Sequence, residues 1–418
     1  MTLMTKMNEW RETTLGEVLQ PKGYIRGPFG SALRRNELLN NGVPVYEQQH
    51  AIYGIRTFRF FISEEKFKEM RRFAVQTDDL IISCSGTIGK VSRIQKSDGR
   101  GIISQALLLL RANKEKIHPL YLQYILSSKE GFNSIVSRSS GSVQVNIARR
   151  EIIESIPLTL PTLPEQDKIL AVLSSLDDKI DLLTQQNVIL EALAQTYFQQ
   201  WLETHKGDQR NVGDFLESTL GGEWGEDTAS DSHPMPVYCL RGTDVAMLTT
   251  GLASKIPLRY IKPSKYERII LTSRDLILEI SGGTDTQSTG RVTYINDRVK
   301  ALFDLPIVFS NFCRCLRFKK EEYIYPFYLY IKGKWENDEF FNLENGSSGI
   351  HNLDYKTFLY STKYTDTFPC DEDFIVFSKY VSSFFEKIDR NKLQIITLQK
   401  LRDTLLPKLI NGEVQVRQ

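Results

Sequence analysis

The sequence predicts an α+β protein in which two similar mixed α/β domains are joined by two long antiparallel coiled-coil helices, with pseudo-two-fold symmetry between the halves. Three observations predict it. Most of the chain is written twice in one order, each copy mixes strand and helix signals, and each ends in a long helix with an apolar seam.

The repeat is visible element by element. "TLGEVL" from Thr14 is echoed by "NVGDFL" from Asn211, and "DLIISCSGTIGKVSRI" from Asp79 by "DLILEISGGTDTQSTGRVTYI" from Asp275. "SQALLLLR" matches "SNFCRCLR", "IHPLYL" matches "IYPFYL", and "SSGSVQVN" from Ser139 matches "SSGIHNLD" from Ser347. Last, "SSLDDKID" from Ser174 returns as "SSFFEKID" from Ser382. The offset drifts from 196 to 208 residues, as it must when loops change length between fixed elements.

"DLIISCSG" and "DLILEISG" predict buried strands ending at glycine, and "SQALLLLR" and "NFCRCLRF" predict strands as well. "HPLYLQYILSS" and "YPFYLYIKG" predict helices with proline in the first turn, where its missing N–H costs nothing. The first long helix opens at "PTLPEQDKI", with Glu165 and Asp167 near its positive end. Its seam is Leu173, Leu176, Ile180, Leu183, Leu190, Ala194, Tyr197 and Trp201, interrupted by Asn187. The second seam is Val381, Phe384, Ile388, Ile395, Leu398, Leu405 and Leu409, interrupted by Asn391 and Arg402. Pro407 is expected to bend its last turn, and "NGE" at Asn411 to stop it. The expected division is 1–163 for the first domain, 164–205 for its helix, 206–373 for the second domain and 374–418 for its helix.

Composition narrows the class. With 41% hydrophobic and 25% charged residues the chain is ordinary globular protein, long enough for two cores. Five cysteines without a CxxC pair argue against a disulfide framework and the commonest zinc spacings. The N-terminus lacks the apolar stretch of a signal peptide, and no apolar run suggests a membrane span, so a cytoplasmic location is expected. Charge is uneven: residues 1–163 carry net +8 and residues 204–373 net −5. The first value suits a polyanion; the second does so only if acids such as those of "GGEWGEDTASD" and "PCDED" gather away from a basic face.

If the two seams bury each other, the helices run antiparallel; pairing with another chain is the alternative. A helix of about 38 residues spans roughly 57 Å, so the pair would be a ruler with one head at each end. Duplex DNA offers half-sites about every 34–36 Å on one face, which suits two similar heads with different surfaces. A scaffold for two protein partners would have the same outline.

The segments "PLTLPTLPEQDKI" and "SSFFEKID", followed by "LQKLRDTLLPKLINGEV", add a resemblance. Over essentially its whole length the chain resembles the specificity subunit of type I restriction–modification systems, although "TFPCDEDFIVFSKY" replaces the "LPxLPEQ" opening in the second copy. The resemblance implies that each copy is a target recognition domain reading one half of a split double-stranded DNA sequence. It implies that the helices form the spacer and bind two modification subunits, which carry S-adenosylmethionine and methylate adenine. Restriction subunits would join them to form an ATP-driven nuclease, so S-adenosylmethionine, ATP and Mg are all expected on partners, with no cofactor on this chain.

Two segments are candidates for DNA contact. "SGTIGKV" from Ser85 is no P-loop, because only Thr87 and Ile88 separate its glycines and Val91 follows the lysine. It predicts a strand–turn–strand, and if that turn faces DNA, Lys90 and Arg93 would meet phosphate. "SRSSGSVQVNIARR" offers Arg138, Ser139, Ser142, Gln144, Asn146 and Arg149, with amides suited to adenine edges and guanidinium groups suited to phosphate or guanine. Its counterpart offers Ser347, Ser348, His351, Asn352 and Lys356. The plainer reading of both loops is a polar cap before a helix.

Catalytic and metal signals are missing from the sequence. Cys313 and Cys315 fall on one side of a strand, the five histidines are scattered, and Asp177-Asp178-Lys179 sits on the long helix. No Asn-Pro-Pro-aromatic motif of an adenine methyltransferase occurs. The expectation is a non-catalytic recognition subunit; the recognition part of another bacterial defence methyltransferase and a two-headed scaffold remain as alternatives.

Overall fold

The computed structural model describes residues 10–29, 33–138, 146–250, 256–284, 287–346 and 351–416. The chain forms two compact units, Met1–Leu176 with Leu401–Gln418, and Asp177–Lys400.

The first unit contains strands β1 (Arg11–Thr14), β2 (Leu19–Arg26), β3 (Val43–Tyr46), β4 (Phe61–Ile62), β5 (Leu80–Ser83), β6 (Val91–Arg93), β7 (Ile102–Ile103), β8 (Leu107–Ala112) and β9 (Pro157–Leu160). Its helices are α1 (Gln48–Tyr53), α2 (Glu64–Glu69), α3 (Pro119–Ser127), α4 (Lys129–Val136) and α5 (Arg150–Glu154), with the start of α6 (Leu163–Thr204). Among the described residues the strands form an antiparallel sheet β2-β8-β5-β6, a mixed sheet β4-β3-β7 and a ribbon β1-β9. Leu107 to Leu110 of β8 and Leu80 to Ile82 of β5 are fully buried, as their unbroken apolar runs predict for strands covered on both faces.

The second unit contains β10 (Asp208–Arg210), β11 (Leu216–Gly221), β12 (Met235–Leu240), β13 (Leu258–Ile261), β14 (Asp275–Glu279), β15 (Ser281–Gly283), β16 (Val292–Tyr294), β17 (Ile307–Phe309), β18 (Cys313–Phe318), β19 (Glu344–Asn345), β20 (His351–Leu353) and β21 (Asp366–Phe368). Its helices are α7 (Gly242–Thr250), α8 (Pro263–Ile269), α9 (Asp297–Lys300), α10 (Ile324–Glu336) and α11 (Tyr355–Tyr360), followed by α12 (Asp371–Ile410). The sheets repeat the first unit in order and direction: β11-β18-β14-β16, β13-β12-β17 and β10-β21. Cys313 and Cys315 are buried in β18, as the strand reading required.

Equivalent charge pairs fix the repeated sheets. Arg111 donates to both oxygens of Asp79 at 2.8 and 2.7 Å, while Gln76 N caps the same carboxylate at 2.7 Å. Arg317 does the same to Asp275 at 2.8 Å twice, capped by Thr272 N at 2.7 Å. Bidentate geometry with an added backbone donor is what lets a carboxylate stay buried.

α6 and α12 run antiparallel. In the first unit Ile169 and Leu173 share a core with Leu405 and Leu409. In the second, Ile180 and Leu183 cluster with Ile395 and Leu398, and Tyr197 stacks against Phe377 and Tyr380. Within the second unit partners thus descend along α12 as they ascend along α6. One detail differs from the sequence expectation. Phe385 is fully buried against Tyr294 and Tyr325 while Phe384 is only partly covered, because the buried face of α12 is set by the aromatics of β16 and α10. α12 runs through Pro407 to Ile410 and stops at Asn411, where the sequence places its end, with Gly412 (φ +71°) next. Lys392 is buried, its ammonium donating to Tyr294 Oη at 3.2 Å beside Asp389 at 3.5 Å.

The "PEQ" triplet has a physical role. Gln166 is fully buried, accepts from His118 N at the cap of α3 and donates to Pro161 O, both at 3.0 Å. It therefore ties the start of α6 to the start of α3.

Candidate nucleic-acid interface

The two predicted contact segments are neighbours. In the first unit the turn between β5 and β6 bridges the segment before α5: Ser85 pairs with Asn146, Ser85 Oγ donates to Asn146 Oδ1 at 2.8 Å, and Ile147 N donates to Cys84 O at 3.0 Å. Gly86 (φ +65°) and Gly89 (φ +77°) make the turn, a conformation that costs other residues energy. In the second unit the same bridge has grown into a sheet, β15-β20-β19, with Ser281 opposite Asn352. Each unit thus carries one composite surface made from a strand-end turn and the loop before a short helix.

The predicted residues distribute unevenly over it. Lys90 is exposed, with its ammonium 4.6 Å from the centre of the Phe132 ring. Arg93 is engaged by Asp78 at 2.7 Å, which Lys114 also reaches at 2.6 Å. Arg138 donates to Ser134 O at 2.8 Å, at the end of α4. Asn146 and Arg149 present exposed side chains, Arg149 at the cap of α5. In the second unit His351 Nδ1 lies 2.8 Å from Glu344 Oε2, while Asn352 and Lys356 are exposed. Ser139, Ser142, Gln144, Ser347 and Ser348 lie outside the described residues.

Sequence reasoning missed Gln48. Its half-buried amide donates to Ser85 O at 2.5 Å and accepts from Ser85 N at 3.1 Å, clamping the turn to α1. No repeat signal marked it, because the helices after β3 and β12 share no sequence pattern.

Arginine–tyrosine stacking ties the short helices to the sheets. Arg150 of α5 lies over the ring of Tyr24 in β2 at 5.3 Å, and burial pushes the Tyr24 hydroxyl up to about 12. In the second unit the roles are exchanged: Arg314 of β18 lies over Tyr355 of α11 at 5.1 Å. A cross-strand pair beside these stacks is exchanged too, Arg26 with Leu108 in the first unit and Gly221 with Arg314 in the second.

The acids of the second unit are largely matched at home. Asp227 pairs with Arg259, Glu223 with Lys265 and Asp371 with Lys320. Among the described residues no group of three or more His, Cys, Asp or Glu side chains is placed to hold a metal ion, and no helix is long and apolar enough to cross a membrane.

The architecture is that of a duplicated α/β protein with an antiparallel helix pair, and comparisons place it further. Residues 7–192 match the family model described as the type I restriction modification DNA specificity domain. It is similar to the type I restriction enzyme MjaIX specificity subunit of Methanocaldococcus jannaschii, 25% identical over 332 residues, covering 73% of this chain and 71% of the relative. It is also similar to the HindI specificity subunit of Haemophilus influenzae, 24% identical over 379 residues, covering 75% of this chain and 81% of the relative. The crystal structure of the type I restriction–modification S subunit from M. genitalium shares the fold at a TM-score of 0.50 and 16% identity, covering 98% of both chains. The resemblance read from the sequence, to type I specificity subunits, is borne out.

Proposed function

We propose that the chain is the DNA sequence-recognition and assembly subunit of a type I restriction–modification complex, reading a bipartite, asymmetric duplex site. The observation that carries this reading is the bridged turn and loop, built twice on one scaffold with different side chains. Ser85 with Asn146 and Ser281 with Asn352 set the same backbone frame, while Arg149 in one unit and Lys356 in the other follow it. Amide side chains such as Asn146 and Asn352 suit adenine edges, and the cations suit phosphate. Two surfaces of equal frame and unequal chemistry would read two unequal half-sequences.

In this reading the chain itself is non-catalytic and cytoplasmic. Two modification subunits, carrying S-adenosylmethionine, would methylate adenine, and restriction subunits would supply ATP- and Mg-dependent cleavage. The test is methylation mapping of DNA exposed to the reconstituted complex. A split recognition sequence with unlike halves is expected. Methylation without sequence preference, or at a site with one undivided half, would overturn it.

A further inference from the structure

The turn after the β5 strand is built alike in both units and charged differently. Ser83 N donates to Lys90 O at 2.9 Å, and Glu279 N donates to Arg291 O at 2.8 Å, so Lys90 and Arg291 hold equivalent places. Each follows a glycine of positive φ, Gly89 (+77°) and Gly290 (+124°), and each glycine lies against a phenylalanine ring, Phe132 and Phe340. There the likeness ends. Arg291 grips both oxygens of Glu279, a carboxylate only 1% exposed, with Nε at 2.7 Å. Ser83 occupies that place in the first unit, its Oγ accepting from Lys90 N at 3.0 Å.

The Lys90 ammonium is therefore left exposed over Phe132, with no carboxylate partner among the described residues. Exposed Lys129 joins it on the rim of a groove of about 390 Å3, also lined by Ser127 and Phe132. The nearby lysines of α10 in the second unit are matched: Lys332 with Glu191 and Glu336, Lys334 with Glu339.

We infer that the groove lined by Lys90, Lys129, Ser127 and Phe132 binds a backbone phosphodiester, and that the first unit supplies an ionic grip on DNA that the second does not supply at the equivalent place. This rests on the DNA-reading function proposed above. An ammonium held over an aromatic face keeps its charge and its donors for phosphate. A guanidinium bound through both arms to a buried carboxylate has neither to give.

The test uses the full chain assembled with modification subunits, titrated with labelled duplex carrying the mapped site between about 50 and 200 mM salt. Lys90→Ala combined with Lys129→Ala should flatten the slope of log affinity against log salt by about 0.9, the loss of one neutralised phosphodiester, with both half-sequences unchanged. Glu279→Gln combined with Arg291→Gln, which removes both charges as a pair, should leave the slope at its wild-type value. An unchanged slope in the double lysine variant, with thermal unfolding intact, overturns the groove. Equal flattening by the glutamine pair overturns the unequal grip. A wild-type complex whose duplex binding does not fall with salt fails earlier, at the DNA-reading function itself.

Discussion

Asn391 donates its side-chain amide to Asn187 Oδ1 at 2.9 Å, in the seam where α6 and α12 otherwise meet through apolar side chains. Both residues are buried, and the Asn187 amide nitrogen has no partner of its own. Such a pair gives up stability and gains register, because any slip strands a polar group among leucines. Asn391→Ala is expected to cost about 1–3 kcal/mol, since it leaves Asn187 buried and unsatisfied. Leucine at both positions should recover or exceed wild-type stability while loosening the choice of partner. Denaturant unfolding of the four chains of the double-mutant cycle, with mass measurement of each, checks this; additive losses would show the two amides to be uncoupled.

The apolar part of the same seam should be intolerant of charge. Leu183 is 1% exposed between Ile180 and Ile395, so Leu183→Asp places a carboxylate where no donor waits. A loss of several kcal/mol is expected, whereas Leu182→Asp, at a 47% exposed neighbour, should change little. Thermal unfolding followed by far-UV circular dichroism separates the two.

Gln48→Ala removes the two bonds that Gln48 makes to the Ser85 backbone and is expected to cost about 1–2 kcal/mol. Its functional effect should be local: the half-sequence read by the first unit blurs and the other half keeps its preference. Methylation mapping over a randomised site library is the measurement. Equal blurring of both halves would mean the turn acts through general stability alone.

Asp371, at the start of α12, accepts from Tyr323 Oη at 2.8 Å and Lys320 Nζ at 2.5 Å, and these bonds hold its carboxyl below the ordinary aspartate range. Because its folded value lies below its unfolded one, its contribution is complete above the ordinary aspartate range and fades as pH falls through the lowered value. Asp371→Asn should therefore lower the melting temperature at neutral pH and converge with wild type in acid. A gap that persists unchanged to low pH would assign the effect to packing instead.

Much of this was legible in the sequence because it is periodic or repeated. The runs at Leu80 and Leu107, the proline-led helices, and the seam with its two asparagines each carry a local pattern that packing reinforces. What stayed hidden depends on meetings between distant residues. Gln48 and Ser85 are 37 residues apart and nothing in either foretells the clamp. Lys392 carries no sequence signal of its own, yet it is buried beside Asp389 and Tyr294, where desolvation drives its pKa down. Arg93 and Arg291 show that an arginine in a candidate contact segment can be spent on a neighbouring carboxylate, which only geometry reveals.

The exchanged arginine beside the stacked tyrosines sets a rule for hybrids between the two halves. A crossover that brings β18 into the first unit without β11 would set Arg314 opposite Arg26, like charge against like charge. It would also replace Gly221, where a Cβ would push the Arg314 guanidinium aside. Moving β11 alone would leave glycine facing Leu108, with no guanidinium at the pair. New specificities assembled by shuffling these halves must therefore inherit the two strands together, so the smallest transferable block is a strand couple that lies 80 residues or more apart in the chain.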